Sequence, residues 1–258
     1  MLLATQKREF AERGIIRLPG LLSQTLMAES ASRVYSMCRR AKCLRDDIWS
    51  APSSPNAARR LVKNIQRSNA FGGSMSADLA GWIHELVDGA PIHQRTNRPT
   101  MLFTLPENQS GRPDLDWHID VRKRTDLRLA GVQLFALVNE IRPGGGGTVA
   151  IAGSHRLALP EMVGREDIRK DLARSSYFTK LFDGEANTRE ELVGTTDSVD
   201  GVDVEIVEMT GEPGDVYLMN LWVLHTRWPN QSREPRIMLT QRFLLQEARD
   251  KLGIRVDF

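Results

Sequence analysis

The chain has 258 residues, a formal net charge of +2, 41% hydrophobic and 26% charged residues. This is ordinary globular composition with enough apolar material for a sizeable core, and the length allows one large domain or two small ones. It argues against a dedicated nucleic-acid surface, which needs a concentrated basic stripe, and no run approaches the ~18–20 apolar residues of a membrane span.

The smaller features agree. Arg39, Arg40, Lys42, Arg59, Arg60, Lys63 and Arg67 form a local basic segment. No aromatic residues interleave with these charges for base stacking, so they read as solvated helix faces. Cys38 and Cys43 are the only cysteines, and their spacing fits neither a disulfide framework nor a zinc site. Reduced thiols in a cytoplasmic protein are the expectation. Met1 to Arg8 is too short an apolar run for a signal peptide.

In chain order, residues 1–12 read as a short amphipathic helix with Phe10 on the core side, ended by Gly14. Ile15 to Leu18 is a short strand closed by Pro19-Gly20. Ser23 is a good N-cap for a helix over 24–40, with Met27, Ala31, Val34 and Cys38 at helical spacing. Further helices are predicted over 57–69 and, capped by Ser76, over Ala77 to Val87. From about residue 99 the pattern alternates instead. Strands are predicted at Met101–Leu105, Asp116–Val121, Ala130–Val138, Gly147–Ala152, Val202–Glu208, Asp215–Met219 and Ile237–Leu245. Glycine-rich turns between several strands, after a helical opening, point to a mainly β fold with flanking helices, a sandwich or jelly roll. Residues 156–201 are different: charged, helical around 165–183, and polar from Gly194 to Gly201. A long excursion inside a β domain is often a lid or binding loop. With no repeat or linker visible, a single domain is expected: helical support over 1–98, jelly-roll core over 99–155 and 202–250, and an insertion or lid over 156–201.

The chemistry concentrates in Trp117-His118-Ile119-Asp120. On a strand, residues two apart point the same way, so His118 and Asp120 are placed to bind one ion while Ile119 faces away. Histidine is scarce: His84, His93, His118, His155 and His225 are all of it. His84 belongs to the amphipathic helix and His93 to a loop without an assigned role. His225 ends the apolar run Leu221 to Leu224, where a side chain can project into a barrel mouth. Two neutral imidazoles and one carboxylate would hold ferrous iron and leave positions open. Arg236 opens an otherwise apolar strand and needs an anionic partner if buried. A dicarboxylate bound by both guanidinium nitrogens would supply one.

These residues, in this order, resemble the phytanoyl-CoA dioxygenase family of iron(II)/2-oxoglutarate oxygenases. Gly14 to Leu22 followed by a helix is similar to the family's start. Trp117 to Asp120 matches its metal pair. Gly146-Gly147-Thr148-Val149-Ala150-Ile151-Ala152-Gly153-Ser154-His155-Arg156 resembles its G-G-T…P-G-S-H segment, with Ala152 in place of Pro. Gly214-Asp215-Val216-Tyr217, His225, Asn230, Ser232 and Arg236 match its last block. The resemblance implies a double-stranded β-helix, a cupin-like jelly roll. It implies Fe(II) on His118, Asp120 and His225, and 2-oxoglutarate with its distal carboxylate on Arg236. Thr148 is a candidate to bond that carboxylate. Gln133, polar within an apolar strand, would face the cosubstrate or substrate, or bond to backbone. His155 is read as structural. Thr104 departs from the basic residue expected on its strand, which leaves the near end of the cosubstrate without an assigned partner.

The implied activity consumes O2 and 2-oxoglutarate and oxidises a C–H bond of a small-molecule metabolite, as in natural-product biosynthesis. Asp120 occupies the position a halide would need, so halogenation is not expected. Hydroxylation is the default, with ring closure, epimerisation and desaturation left open. Arg122, Lys123 and Arg124 could meet an anionic or hydroxyl-rich substrate, and Trp117 and Trp222 could line the pocket. The oligomeric state is left open. Two other classes compete: a non-catalytic jelly roll that binds a metal or ligand, and a zinc hydrolase, which has no need of Arg236.

Overall fold

The computed structural model describes residues 2–46, 48–50, 52–68, 77–94, 99–107, 115–157, 170–183 and 188–254. Within these, the opening half is helical. Helix α1 (Ala4–Arg13) leads into strand β1 (Ile15–Leu18), and α2 (Gln24–Arg40) follows. A small hairpin, β2 (Leu44–Arg45) with β3 (Ile48–Trp49), precedes α3 (Pro55–Arg67), α4 (Ala77–Leu86) and β4 (Ile92–Gln94). The caps explain the boundaries. Ser23 Oγ accepts from Leu26 N, and Ser54 Oγ accepts from Ala57 N with Pro55 at the first helical position. The Ser76 cap lies outside the described residues. Gly14 ends α1 at φ +70°, and a Cβ there would stand 2.4 Å from His155 Nδ1, so both conformation and space require glycine.

The second half supplies β5 (Thr100–Thr104), β6 (Gly131–Leu137), β7 (Thr148–Ala152), a short 3₁₀ turn at Ser154–Arg156, α5 (Ser176–Asp183), α6 (Arg189–Leu192), β8 (Thr196–Val199), β9 (Val202–Glu208), β10 (Val216–Asn220), β11 (His225–Arg227), β12 (Arg236–Leu245) and α7 (Gln246–Leu252). One sheet has six strands, ordered β1-β10-β6-β12-β4, with β5 also on β12; the other runs β11-β7-β9-β8. All the pairings within both sheets are antiparallel.

Alternation along the strands decides which side chains reach the space between the sheets. On β6, Leu134 and Ala136 pack outward with Met27, Val34, Ile65 and Ile83 of the helices, while Phe135 and Leu137 join Ala150, Met219 and Met238 between the sheets. The outer face of the smaller sheet, through Val149, Ile151, Val204 and Ile206, is covered by Phe178, Leu181 and Phe182 of α5 and Leu192 of α6. The described part of the 156–201 segment is thus packed on the smaller sheet, and it includes an edge strand. Thr196–Val199, read from sequence as a polar stretch, pairs with β9 because its backbone finds a neighbour that sequence cannot display. Residues 158–169, where the helical reading began, lie outside the described residues.

Asp215 ties the opening strand to the barrel. Its carboxylate accepts from Arg17 Nη2 (2.6 Å), Gly20 N (2.8 Å) and Glu212 N (3.0 Å). Burial works against its charge, but the backbone N–H of Gly20 and the Arg17 guanidinium hold its pKa below the usual carboxylate value.

His155 is structural, as the sequence reading has it. Its Nε2 donates to Ala11 O (3.1 Å), pinning α1 to the 3₁₀ turn. Burial, with Lys123 and Arg156 adding, pushes its pKa down to about 4, against the opposing Ala11 hydrogen bond. The unfolded chain therefore takes up this proton before the folded one. Stability should be intact above the ordinary histidine value and fall as pH drops through the window from ~6.5 to ~4, by roughly 1–3 kcal/mol. Chemical denaturation at neutral pH and near pH ~4.5 tests this, and His155→Gln should flatten the decline.

Candidate active site

A loop and the first residue of a strand bring the metal-ligand candidates together. The predicted strand at Asp116–Val121 is not one: only His118 forms a β-bridge, and its partner is His225. The two residues exchange both backbone hydrogen bonds at 3.0 Å, and Asp120 N is held by Leu221 O at 3.2 Å. His225 likewise begins β11 rather than ending a strand; Leu221 to Leu224 form a buried turn. His118, Asp120 and His225 each offer an atom within 4.8 Å of the others.

The second atoms of these ligands are already committed. His118 Nδ1 donates to Asp116 O (2.8 Å) and His225 Nδ1 donates to Val223 O (3.0 Å). Each bond leaves Nε2 as the lone-pair nitrogen, the tautomer a metal requires. Burial lowers the His225 pKa, with the Asp120 charge opposing. Asp120 Oδ1 is engaged by Arg242, while Oδ2 is buried, lies 3.7 Å from His225 Nε2 and has no hydrogen-bond partner among the described residues. A buried carboxylate oxygen facing two imidazole lone pairs is unfavourable without a cation between them. The donor set therefore fits a divalent ion of the iron type.

A cavity of ≈540 Å³ between the two sheets contains these three residues and also Gln133, Thr148 and Arg236. Arg236 is 5% exposed, and its Nη2 donates to Thr104 Oγ1 (2.8 Å), its register partner on β5. Its Nε is buried without a partner, and among the described residues no carboxylate forms an ion pair with it. Burial, with the nearby Arg227, pushes its pKa down to about 10, Glu107 opposing. Asn230 shapes the turn before it: Nδ2 donates to Glu234 O (2.7 Å) and Thr104 O (3.3 Å), and Oδ1 accepts from Ser232 Oγ (2.7 Å). In the glycine-rich turn before Thr148, a Cβ on Gly146 would stand 2.8 Å from Asn230 Cβ.

Gln133 bonds to side chains, not backbone. Its Nε2 donates to Thr240 Oγ1 (2.9 Å) and its Oε1 accepts from Arg242 Nε (3.2 Å). Arg242 was missed from sequence, although a two-residue count along β12 from Arg236 places both on one face. It bonds Asp120 and Gln133 at once. Arg227 and Phe135 also line the cavity. Trp117 and Trp222 are instead core residues at 2% and 3% exposure. Lys123 also turns away, donating to His155 O and Leu157 O (both 2.6 Å) 5.7 Å over the Trp222 ring. The basic segment of α2 and α3 is solvent-exposed, as is His84; His93 lies on β4. Both cysteines are free and buried.

Two sheets around a His-x-Asp…His cluster define a double-stranded β-helix with a candidate metal centre of the two-histidine, one-carboxylate kind. The phytanoyl-CoA dioxygenase (PhyH) family matches residues 10–238, and the chain belongs to that family. It is accordingly an oxygenase dependent on iron, 2-oxoglutarate and O2. Solved structures share the fold at low identity. The 2-oxoglutarate-dependent carbocyclase SnoK of nogalamycin biosynthesis is 15% identical, with a TM-score of 0.55 over 94% of this chain and 84% of that one. EctD from S. alaskensis is 19% identical, with a TM-score of 0.55 over 94% and 77%. The epimerase SnoN, in complex with Fe3+, 2-oxoglutarate and nogalamycin RO, is 12% identical, with a TM-score of 0.53 over 93% and 82%. No curated protein matches the chain by sequence. No helix among the described residues is long and apolar enough to cross a membrane.

Proposed function

We propose that His118, Asp120 and His225 hold Fe(II), that Arg236 pairs with the distal carboxylate of 2-oxoglutarate, and that the protein oxidises a C–H bond of a small-molecule metabolite. The observation that carries this reading is the buried Arg236, with no carboxylate ion pair among the described residues, in the same cavity as the three converging ligand atoms. A zinc hydrolase has no use for that pairing.

With iron and 2-oxoglutarate held there, O2 would be the oxidant: one oxygen atom would pass to succinate as 2-oxoglutarate loses CO2, and the other would serve the oxidation of the substrate C–H bond. The chain's residues supply the rest. The Nδ1 bonds to Asp116 and Val223 fix the imidazole tautomers. Arg242 holds one Asp120 oxygen and leaves the other, which would bind the ion. Thr104 orients Arg236, while Thr148 adds a hydroxyl at the cavity wall. Gln133 acts through Arg242 and Thr240. Phe135 and Leu102 contribute apolar wall that limits water. Hydroxylation is the default outcome, and relatives in antibiotic biosynthesis make a natural-product intermediate the reading for the substrate.

The test is succinate formation with ferrous iron, 2-oxoglutarate and O2, first uncoupled and then with candidate metabolites. A jelly roll that only binds would release none. Arg242→Gln keeps a hydrogen bond but removes the charge beside Asp120. It should weaken Co(II) binding, followed by its visible absorbance, by roughly 10–100-fold, as outer ligand supports do.

A further inference from the structure

Asp120, Arg242, Gln133 and Thr240 form one hydrogen-bonded chain along the wall of the metal cavity, and its direction is fixed at the arginine. Arg242 engages Asp120 Oδ1, and its Nε donates to Gln133 Oε1 (3.2 Å). Gln133 Nε2 in turn donates to Thr240 Oγ1 (2.9 Å). A guanidinium has only donors, so the end of the Gln133 amide that faces Arg242 must be its carbonyl. The amide nitrogen therefore faces Thr240, and the Thr240 oxygen is the acceptor in that bond. A hydroxyl that accepts still has one proton to give. Among the described residues no acceptor takes that proton, and Thr240 borders the cavity.

The place of Thr240 decides what it meets. Arg236, Thr240 and Arg242 share the cavity face of β12 in that order. At ~3.3 Å per residue, Thr240 stands ~7 Å from Arg242 along the strand and ~13 Å from Arg236. Its register partners, Thr100 on β5 and Phe135 on β6, line the same cavity and bring no charge. A 2-oxoglutarate whose distal carboxylate pairs with Arg236 has its keto-acid end towards the metal ligands, on the side of Arg242 and Asp120, and so beside Thr240.

We infer that the Thr240 hydroxyl donates to the carboxylate at the keto-acid end of 2-oxoglutarate, and that Gln133 is a positioning residue that aims it. The inference rests on the proposed reading of Arg236 and the metal ligands. It gives the near end of the cosubstrate a neutral donor in place of the cation that Thr104 does not supply.

The test uses Co(II)-loaded protein and follows the visible bands of the ion during titration with 2-oxoglutarate or with 2-oxobutanoate, which lacks the distal carboxylate. Thr240→Val keeps the side-chain shape and removes the proton. It should weaken both ligands by the same factor, roughly 10–100-fold, the worth of a hydrogen bond to a charged group. Thr240→Ser should restore most of the affinity, and a cooperative thermal melt reports that each variant is folded. Gln133→Leu should weaken both ligands by a smaller factor. It should add nothing to Thr240→Val in the double variant, because without the hydroxyl there is nothing to aim. Unchanged affinity in Thr240→Val would overturn the inference. So would a loss confined to 2-oxoglutarate, which would put the hydroxyl at the distal end, and full additivity of the two substitutions would overturn the role of Gln133. Arg236→Leu reports on the underlying reading: it should lose affinity for 2-oxoglutarate and keep that for 2-oxobutanoate. Unchanged 2-oxoglutarate affinity in Arg236→Leu would overturn that reading and the inference with it, whereas failure in Thr240→Val alone leaves the reading standing.

Discussion

His225→Ala is expected to abolish iron-dependent conversion of 2-oxoglutarate to succinate. His225 is buried, at 5% exposure, and its Nε2 lies 3.7 Å from the Asp120 oxygen that has no hydrogen-bond partner among the described residues. Losing a support outside the ligand shell costs ~10–100-fold in such sites, so losing a ligand should cost roughly 10³-fold or more in turnover. The backbone bridge between His118 and His225 does not depend on the side chain, so a cooperative thermal melt should remain. Co(II) titration supplies the second readout, and the visible bands of the bound ion should be lost or shifted. Turnover equal to that of the wild type would remove His225 from the metal assignment.

Arg236→Leu should act with opposite signs on stability and on cosubstrate binding. Without a ligand, Arg236 is a buried cation whose one hydrogen bond among the described residues is to Thr104, with a buried Nε that has no partner among them. Replacing such a charge with an apolar side chain is often neutral or stabilising, by ~1–4 kcal/mol at most. The same change leaves the distal carboxylate of 2-oxoglutarate desolvated and unpaired, a loss of roughly 3–5 kcal/mol, or at least ~10²-fold in affinity. Thermal melts with and without 2-oxoglutarate separate the two. The wild type should gain ~2.7 kcal/mol at a ligand concentration 100 times Kd, while the variant should melt no lower than the free wild type and gain nothing. A variant that still responds to 2-oxoglutarate would place the cosubstrate elsewhere.

The parts of this protein legible in its sequence are those governed by local rules. The helix cap at Ser23, the break at Gly14 and alternation along β9 are set by residues within a few positions of one another. The His-x-Asp pair, the downstream His225 and Arg236 could be named because a spaced set of polar residues among apolar runs is visible without a fold. The resemblance to a family then supplied their order.

What depended on the tertiary structure is every contact between distant segments. Asp116–Val121 became a single bridge, and the polar stretch before β9 became strand β8, because pairing depends on which backbone lies alongside. Lys123 was separated from Arg122 and Arg124 by the carbonyls of a turn more than thirty residues away. Arg242 acquired its place only when β12 was set beside β6 and the His118–Asp120 loop, so that one guanidinium could bridge Gln133 and Asp120. Composition and local spacing determine which side chains can do chemistry. Long-range packing determines which of them share a dry cavity, where the cost of an unpaired charge is high enough to define a site.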